Sequence, residues 1–368
     1  MLMISSPQKP EHDITVAIVG GGLSGLAACY LLNKAGIGAH LFEANGRLGG
    51  RILSLTDPRS GAYLGDLGPT WVWSEFQPIA SRWLHELGME TYDQYQAGYL
   101  VLDLSADSAP ERAYLPHQQS STRLVGGPQA FVDQLTEAIP AQHIHMNARL
   151  IDVQDHQNRL RLRFDMEGQT QSVECQKLIA AAPLRLMAKT IGWGETLSPS
   201  ILNIMAAAPT WMSTQAKATI VYESPFWRSN GLSGNVFSRV GPLAEIHDHC
   251  GRDGSPAALF GFVGVPHSDR QLVNLKAAII HQLERCFGEQ AANPAQYEIK
   301  DWAQDPFICS SQDLKTTPQH PSVLHPTTRE PHCGGRIIFA GAESAEISPG
   351  LIEGALNAAE RAANLCQT

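Results

Sequence analysis

Residues 14–25 read Ile14-Thr15-Val16-Ala17-Ile18-Val19-Gly20-Gly21-Gly22-Leu23-Ser24-Gly25, and Ala39-His40-Leu41-Phe42-Glu43 follows downstream. A short, β-branched apolar run stopped by glycines suits a central parallel strand. Leu23, Leu26, Ala27, Tyr30 and Leu31 then share one helical face, and Gly36 ends that helix. The second apolar run closes on Glu43. Gly20, Gly22 and Gly25 therefore form GxGxxG inside a complete βαβ opening, with an acid 23 residues past the first glycine. The three glycines do different things. Gly20 makes the tight turn, Gly22 lets the backbone approach a pyrophosphate, and Gly25 lets helix and strand pack closely. Leu23 and Ser24 begin the helix, where free N–H groups and the dipole favour phosphate. Glu43, followed by Ala44, is placed to accept hydrogen bonds from a ribose hydroxyl.

This pattern does not separate NAD from FAD. Arg47-Leu48-Gly49-Gly50-Arg51, just past the second strand, sets two arginines around a Gly-Gly turn. Glycines there let backbone pass phosphates, and an arginine can neutralise one; on chemistry alone the same residues suit a surface turn.

The rest of the chain sets bounds. With 368 residues, 43% of them hydrophobic and only 17% charged, two domains with large cores are expected and disorder is not. A net charge of −9 argues against nucleic acid and against an anionic membrane surface. Seven cysteines, odd in number and without a CxxC pair, suit free thiols in a reducing compartment. Residues 1–13 lack the apolar core of a signal peptide, and the apolar stretch 14–32 holds the glycine turn, so it is not a membrane span. The cytoplasm is the expected location. No zinc spacing and no Ser–His–Asp set stands out, and His247-Asp248-His249 reads as a polar loop, so no metal is expected.

Hydrophobic periodicity predicts helices over 75–87, from Pro128, over 272–287 and over 351–365. Alternation predicts antiparallel strands across 143–180 around a Glu167-Gly168 turn, a buried strand over 177–182, and further strands at 216–222, 243–246 and 258–263. A last buried strand is expected at 336–340, with loops at 103–121 and 309–335.

Several of these stretches together resemble the flavin-containing amine oxidases, a family of monoamine, polyamine and L-amino-acid oxidases akin to phytoene desaturases. The likeness is carried by Val16–Gly25, Glu43, Arg47–Arg51 and Asp66-Leu67-Gly68-Pro69-Thr70-Trp71, and recurs at Val125–Ala130, Leu178–Pro183, Phe339–Glu343 and Gly350–Ala355. It implies an α/β protein: a Rossmann-like FAD-binding domain of the GR2 type with a discontinuous α+β substrate domain on an antiparallel sheet. The expected division is 1–76, 122–205 and 305–368 for the FAD-binding domain, and 77–121 and 206–304 for the substrate domain. FAD is the implied cofactor. Its implied contacts are Gly20, Gly22, Leu23, Ser24, Gly25, Glu43, Ala44, Arg47, Gly49, Gly50, Arg51, Gly68, Pro69, Thr70, Leu150, Gly341, Glu343, Leu351 and Ile352. Leu150, whose backbone the resemblance sets against the adenine, equally suits a core leucine. A helix beginning near Leu351 would aim its N-terminus at the flavin edge that gains negative charge on reduction.

The resemblance also implies a catalytic lysine, Lys217, near flavin N5 through a water; an exposed strand lysine is the plainer reading. Relatives that bind FAD covalently use a cysteine where Ser311 stands here, so Cys309 is out of register and FAD is expected to be non-covalent. Two aromatic rings that cage the amine in relatives are replaced by Leu351 and Gln312. Trp71 and Trp73 are alternative aromatic surface, or core. The stretch between Trp73 and Gly126 is short, which implies a smaller lid and a more open site. The open site suits a bulky or macromolecule-tethered substrate, and the two missing rings argue against a simple primary amine. The implied reaction oxidises a C–N bond of an amine-type substrate by hydride transfer to the flavin, with O2 as acceptor and H2O2 as product. A flavin-dependent desaturase acting on C–C bonds, a non-catalytic flavin-binding protein and an NAD-dependent dehydrogenase are the alternatives. Oligomeric state is not legible.

Overall fold

A computed structural model describes residues 13–115, 121–316 and 320–367. The expectation about a signal peptide falls on residues that, apart from 13, lie outside this range. In chain order the first elements are β1 (Asp13–Val19), α1 (Leu23–Lys34), β2 (Ala39–Phe42), β3 (Ser54–Thr56), β4 (Tyr63–Asp66) and α2 (Pro78–Glu86). Then come β5 (Thr91–Asp93), β6 (Tyr99–Asp103), β7 (Glu111–Ala113), β8 (Thr122–Leu124), α3 (Gly127–Ala138), β9 (Ile144–His145), β10 (Ala148–His156), β11 (Arg159–Met166) and β12 (Gln169–Ala180). After α4 (Leu184–Thr190) and α5 (Pro199–Ala207) the chain runs through β13 (Ala216–Tyr222), α6 (Phe226–Ser229), β14 (Leu232–Ser238), β15 (Leu243–Asp248) and β16 (Ala257–Val263). It ends with α7 (Leu275–Phe287), β17 (Gln296–Asp301), β18 (Ile337–Phe339) and α8 (Ile352–Gln367).

These elements fall into two compact units. The first comprises residues 1–50, 134–211 and 319–368. Its sheet runs β10-β11-β12-β1-β2-β9, with β18 also paired to β12. β1 lies parallel to β12 and to β2, and β18 parallel to the C-terminal part of β12. The first half of β12 pairs antiparallel with β11, so the strand expected at 177–182 is the continuation of the hairpin. One long strand thus joins a three-stranded antiparallel flap to the parallel sheet. The hairpin turns where expected, with Glu167 at φ 55° and Gly168 at φ 84°. Because α1 packs against α8, Ala28 and Cys29 are as buried as Leu26, and the helix is covered on more than the single face its pattern predicted.

The second unit comprises residues 51–133 and 212–318. Its sheet runs β17-β13-β16-β15-β14-β6-β7, antiparallel except between β14 and β6. One face of β13 sends Ala216, Ala218, Ile220 and Tyr222 into an apolar core with Leu243, Ile246, Leu259 and Leu283. The opposite face carries Lys217, Thr219 and Val221.

The expected division and these units differ at 51–76, 122–133, 206–211 and 305–318. The reason is visible in β4: Thr219 Oγ1 donates to the Asp66 carbonyl, and the Asp66 N–H donates to His249 Nε2, which ties 51–76 to the antiparallel sheet. Three local expectations also change. Residues 103–121 are not all loop, since β7 pairs with β6. His247 and Asp248 end strand β15, so the polar loop expected there is a strand end. β14 stands where no strand was expected.

Candidate functional site

In the first unit, three turns meet at the C-terminal end of β12. A Cβ on Gly20, which sits at φ 107°, would lie 3.0 Å from the Ala181 carbonyl carbon, and one on Gly341 would lie 2.8 Å from the Ala182 carbonyl oxygen. Ser24 Oγ donates to the Ala340 carbonyl, bridging 316 residues of sequence. Gly25 has the strictest requirement: a Cβ there would lie 1.9 Å from the Gly20 carbonyl oxygen. The third glycine of the motif is therefore what lets α1 leave the turn so close to β1.

Gly22 is different. A Cβ there would come no closer than 3.9 Å to another protein atom, Gly50 Cα. Gly22 is also the N-cap of α1, with no side-chain cap and no acid in the first turn. The helix N-terminus and the space before Gly22 are thus left clear of the protein's own groups, which fits an anionic pyrophosphate. Gly49 and Gly50 run beside this turn: Gly49 bridges to Gly22, and the Gly49 N–H donates to the Gly21 carbonyl at 2.8 Å. The Gly-Gly turn is therefore paired with the Gly20–Gly25 turn rather than standing apart as a surface turn. Arg47 folds back on it, donating to the Gly50 carbonyl at 2.6 Å and the Leu48 carbonyl at 3.1 Å.

Glu43, at the end of β2, is buried. Its Oε2 accepts the Gly21 N–H at 2.5 Å and its Oε1 the Asn45 N–H at 2.7 Å across Ala44. Leu150 is a buried residue of β10 opposite Phe164. Glu343 lies buried on the turn after Gly341, where its Oε1 accepts the Trp211 N–H at 3.2 Å. Leu351 receives the Ala355 N–H at 2.9 Å and so begins α8, with Ile352 buried behind it. Gly350, at φ 80°, leaves no room for a side chain, because a Cβ would lie 2.8 Å from Trp211 Cβ.

The second unit holds the remaining candidates. Lys217 is 3% exposed, so the plain reading of an exposed strand lysine does not hold. Its Nζ donates to the Gly68 carbonyl at 2.9 Å and to Thr70 Oγ1 at 2.5 Å, and lies 4.0 Å from the centroid of the Phe260 ring. Gly68 packs onto Arg51: a Cβ would lie 2.0 Å from the Arg51 carbonyl oxygen. Arg51, Gly68, Pro69, Thr70 and Lys217 are accordingly one local assembly. Trp71 stacks edge-on against His247 and lies beside Phe260 and Trp73; its Nε1 donates to Gln94.

Behind Lys217 lies a buried polar group that sequence reasoning passed over. It contains Asp66, Arg123, His249 and Tyr63. Burial pushes the Lys217 amine down from 10.5 to about 7, with the Asp66 carboxylate opposing and the Arg123 guanidinium adding to the fall. Burial and Arg123 hold His249 down at about 3, so its imidazole is neutral. No short-range signal marks this group, since His249 joins Asp66 across 183 residues. Cys309 is half-buried, its thiol pushed up to about 11 chiefly by burial. Among the described residues no cluster of three metal-ligating side chains occurs, and no helix is long and apolar enough to cross a membrane.

Two family models match successive stretches of the chain. Residues 18–87 match the NAD(P)-binding Rossmann-like domain, and residues 92–367 match the flavin containing amine oxidoreductase family. A probable flavin-containing monoamine oxidase A of Dictyostelium discoideum is 22% identical over 94% of this chain and 96% of its own. The flavin-containing amine oxidase B of Homo sapiens is 24% identical over 96% and 86%. Among solved structures, putrescine oxidase bound to putrescine aligns with a TM-score of 0.77 at 21% identity over 96% of this chain and 98% of that one. Cyclohexylamine oxidase from Brevibacterium oxydans aligns with a TM-score of 0.80 at 18% identity over 97% and 99%. The glycine turns, the long shared strand and a family match across three-quarters of the sequence lead to one conclusion: the chain belongs to the flavin-containing amine oxidoreductases, with FAD as its cofactor and amine oxidation as its class of reaction.

Proposed function

We propose that this protein is an oxidase of an amine-type substrate, taking a hydride equivalent from the carbon beside nitrogen and returning the electrons to O2. The observation that carries the reading is the meeting of the Gly20–Gly25 and Gly341 turns at the end of β12, with an open space before Gly22. In this reading Gly20, Gly22, Leu23, Ser24 and Gly25 cradle the pyrophosphate, and Glu43 with Ala44 receives the ribose. Leu150 backs the adenine. Arg47, Gly49 and Gly50 line the phosphates, and Gly341, Glu343, Leu351 and Ile352 serve the ribitol and ring. By resemblance, Arg51, Gly68, Pro69 and Thr70 are further cofactor contacts in this reading. When bound, FAD supplies a two-electron acceptor at N5 and, on reoxidation, converts O2 to H2O2. The protein's own part is orientation and proton control. Lys217, a buried amine near its midpoint at neutral pH, is suited to hold a water and pass a proton.

FAD is held without a covalent bond in this reading, supported by the serine at position 311 and the raised, half-buried Cys309 thiol. All seven cysteines are free, which supports a cytoplasmic location.

The test is anaerobic mixing of the yellow protein with panels of amines, amino acids and alkenes while following flavin absorbance, then admission of O2 with a peroxide assay. Bleaching by an amine followed by peroxide supports the reading. Bleaching only by alkenes replaces it with desaturation, and a flavin that no panel bleaches overturns it in favour of a binding protein.

A further inference from the structure

Lys217 stands on the face of β13 that also carries Thr219, and the segment from Asp66 to Thr70 lies against that face. Thr219 Oγ1 donates to the Asp66 carbonyl at 2.9 Å, while Lys217 Nζ donates to Gly68 O and Thr70 Oγ1. The carboxylate of Asp66 is 1% exposed by residue and is held from several sides. Its backbone N–H donates to His249 Nε2 at 2.8 Å, Ser54 Oγ donates to its Oδ1 at 3.3 Å, and the Tyr63 hydroxyl bonds to it. Asp66 Oδ2 also lies 3.3 Å from His249 Nε2. That contact is no ion pair, because the Nε2 lone pair is already taken by the Asp66 N–H. His249 is neutral, and the negative charge of Asp66 is left without a histidinium partner.

The other formal charge buried beside it is Arg123, 2% exposed. Its Nη1 donates to the Cys250 carbonyl at 2.7 Å, and its Nη2 to the Tyr63 hydroxyl and the His249 carbonyl, each at 3.3 Å. The guanidinium is thus fixed on neutral acceptors, not on the carboxylate. Lys217 and His249 share the Phe260 ring, so the amine lies in one buried cluster with this anion and this cation, which act on it in opposite senses, and each is held in place by groups that do not neutralise it. The other titratable side chains of the packed strands are otherwise engaged. Lys300, opposite on β17, pairs with Asp305; Glu245 and His247 on β15 contact each other; Tyr63 stays neutral.

We propose that Asp66 and Arg123 are positioning residues for Lys217, acting through their opposed buried charges to set the protonation state of its amine. This rests on the reading of Lys217 as a proton-handling group, but the arrangement is testable without it. Asp66 favours the ammonium and Arg123 the free amine; because both are held by His249, Tyr63 and backbone, the balance is built into the fold. A base that is half neutral near pH 7 can give a proton and take one back in the same cycle.

The experiment follows the holoprotein by NMR with lysine labelled with carbon-13 at Cε, the Lys217 signal being assigned by its loss in Lys217→Met. Asp66→Asn, nearly isosteric, is expected to lower the titration midpoint of that signal by about one pH unit or more, and Arg123→Met to raise it by a similar amount. The pH profile of flavin reoxidation in each variant is expected to move with the signal. Where Asp66→Asn does not fold, Arg123→Met carries the test with the opposite sign. A Lys217 midpoint that stays put in the folded variants overturns the proposal. A midpoint that moves while the reoxidation profile is unchanged, in the variants and in Lys217→Met, leaves the electrostatic arrangement standing and overturns the catalytic reading of Lys217 instead.

Discussion

The carboxylate of Glu43 accepts the backbone N–H of Gly21 at 2.5 Å, so the acid at the end of the second strand is bonded to the glycine loop itself. Glu43 therefore shapes the loop, in addition to the ribose contact proposed for it. Glu43→Ala is expected to release FAD and also to destabilise the apoprotein by about 1–3 kcal/mol, the range for leaving a buried N–H unsatisfied. Urea unfolding of apoprotein, read beside flavin content, checks both; an apoprotein of unchanged stability would remove the structural half of this role.

Gly22 and Gly25 separate cofactor contact from packing. Gly25→Ala places a methyl 1.9 Å from the Gly20 carbonyl and is expected to yield little folded protein. Gly22→Ala meets only Gly50 Cα, at an ordinary 3.9 Å, so its apoprotein is expected to lose no more than about 1 kcal/mol, the scale of an N-cap change, while FAD retention falls sharply. Thermal melts of the two apoproteins and a flavin titration give the comparison, and equal FAD affinity in Gly22→Ala would contradict the pyrophosphate assignment.

Lys217 predicts a particular pH dependence of stability. Its amine is lowered to about 7 in the folded protein against 10.5 in the ordinary state. Between those values the unfolded chain holds a proton that the folded one lacks. Stability is therefore expected to rise with pH across this window, by up to about 1.4 kcal/mol per unit from this group alone. Lys217→Met is expected to flatten the rise. Denaturant titrations of both proteins between pH 7 and about 8 isolate the lysine, because the buried thiols, raised by burial from 9.0, lose protons chiefly from the unfolded chain above that range and there oppose the rise.

Asp248 is a structural acid. It accepts Trp227 Nε1 at 2.8 Å, Arg228 Nε at 2.8 Å, Arg228 Nη2 at 2.7 Å and the Cys250 N–H at 3.0 Å, with its side chain fully buried. Asp248→Ala is expected to cost about 3–5 kcal/mol, seen as a large drop in the unfolding midpoint, and to loosen the end of β15 that presents His249.

How far the sequence alone could be read depended on how local each determinant is. The Gly20–Gly25 turn, α1 and Glu43 are set within about one supersecondary unit, and each was found where expected. β14 was missed because Gly234, at φ 80°, and the register shift between Leu232 and Val236 break the alternation that marks a strand. The meeting of Ser24 with Ala340 was readable only through the family resemblance, since nothing within either segment names the other. Lys217 was singled out, but its surroundings were not: Asp66, Arg123 and His249 come from three separate stretches, and their charges have meaning only once burial is known. Residues 122–133 could not be assigned from periodicity, because α3 runs through the boundary between the two compact units.

The pairing of β18 with β12, and of Ser24 with the Ala340 carbonyl, has a bearing on biosynthesis. A nascent chain extended only through residue 330 already contains β1, α1 and β2 yet lacks the strand and helix that close over them. The ribosome must deliver residues 337–367 before the nucleotide cradle can mature, so flavin loading belongs to the last stage of folding.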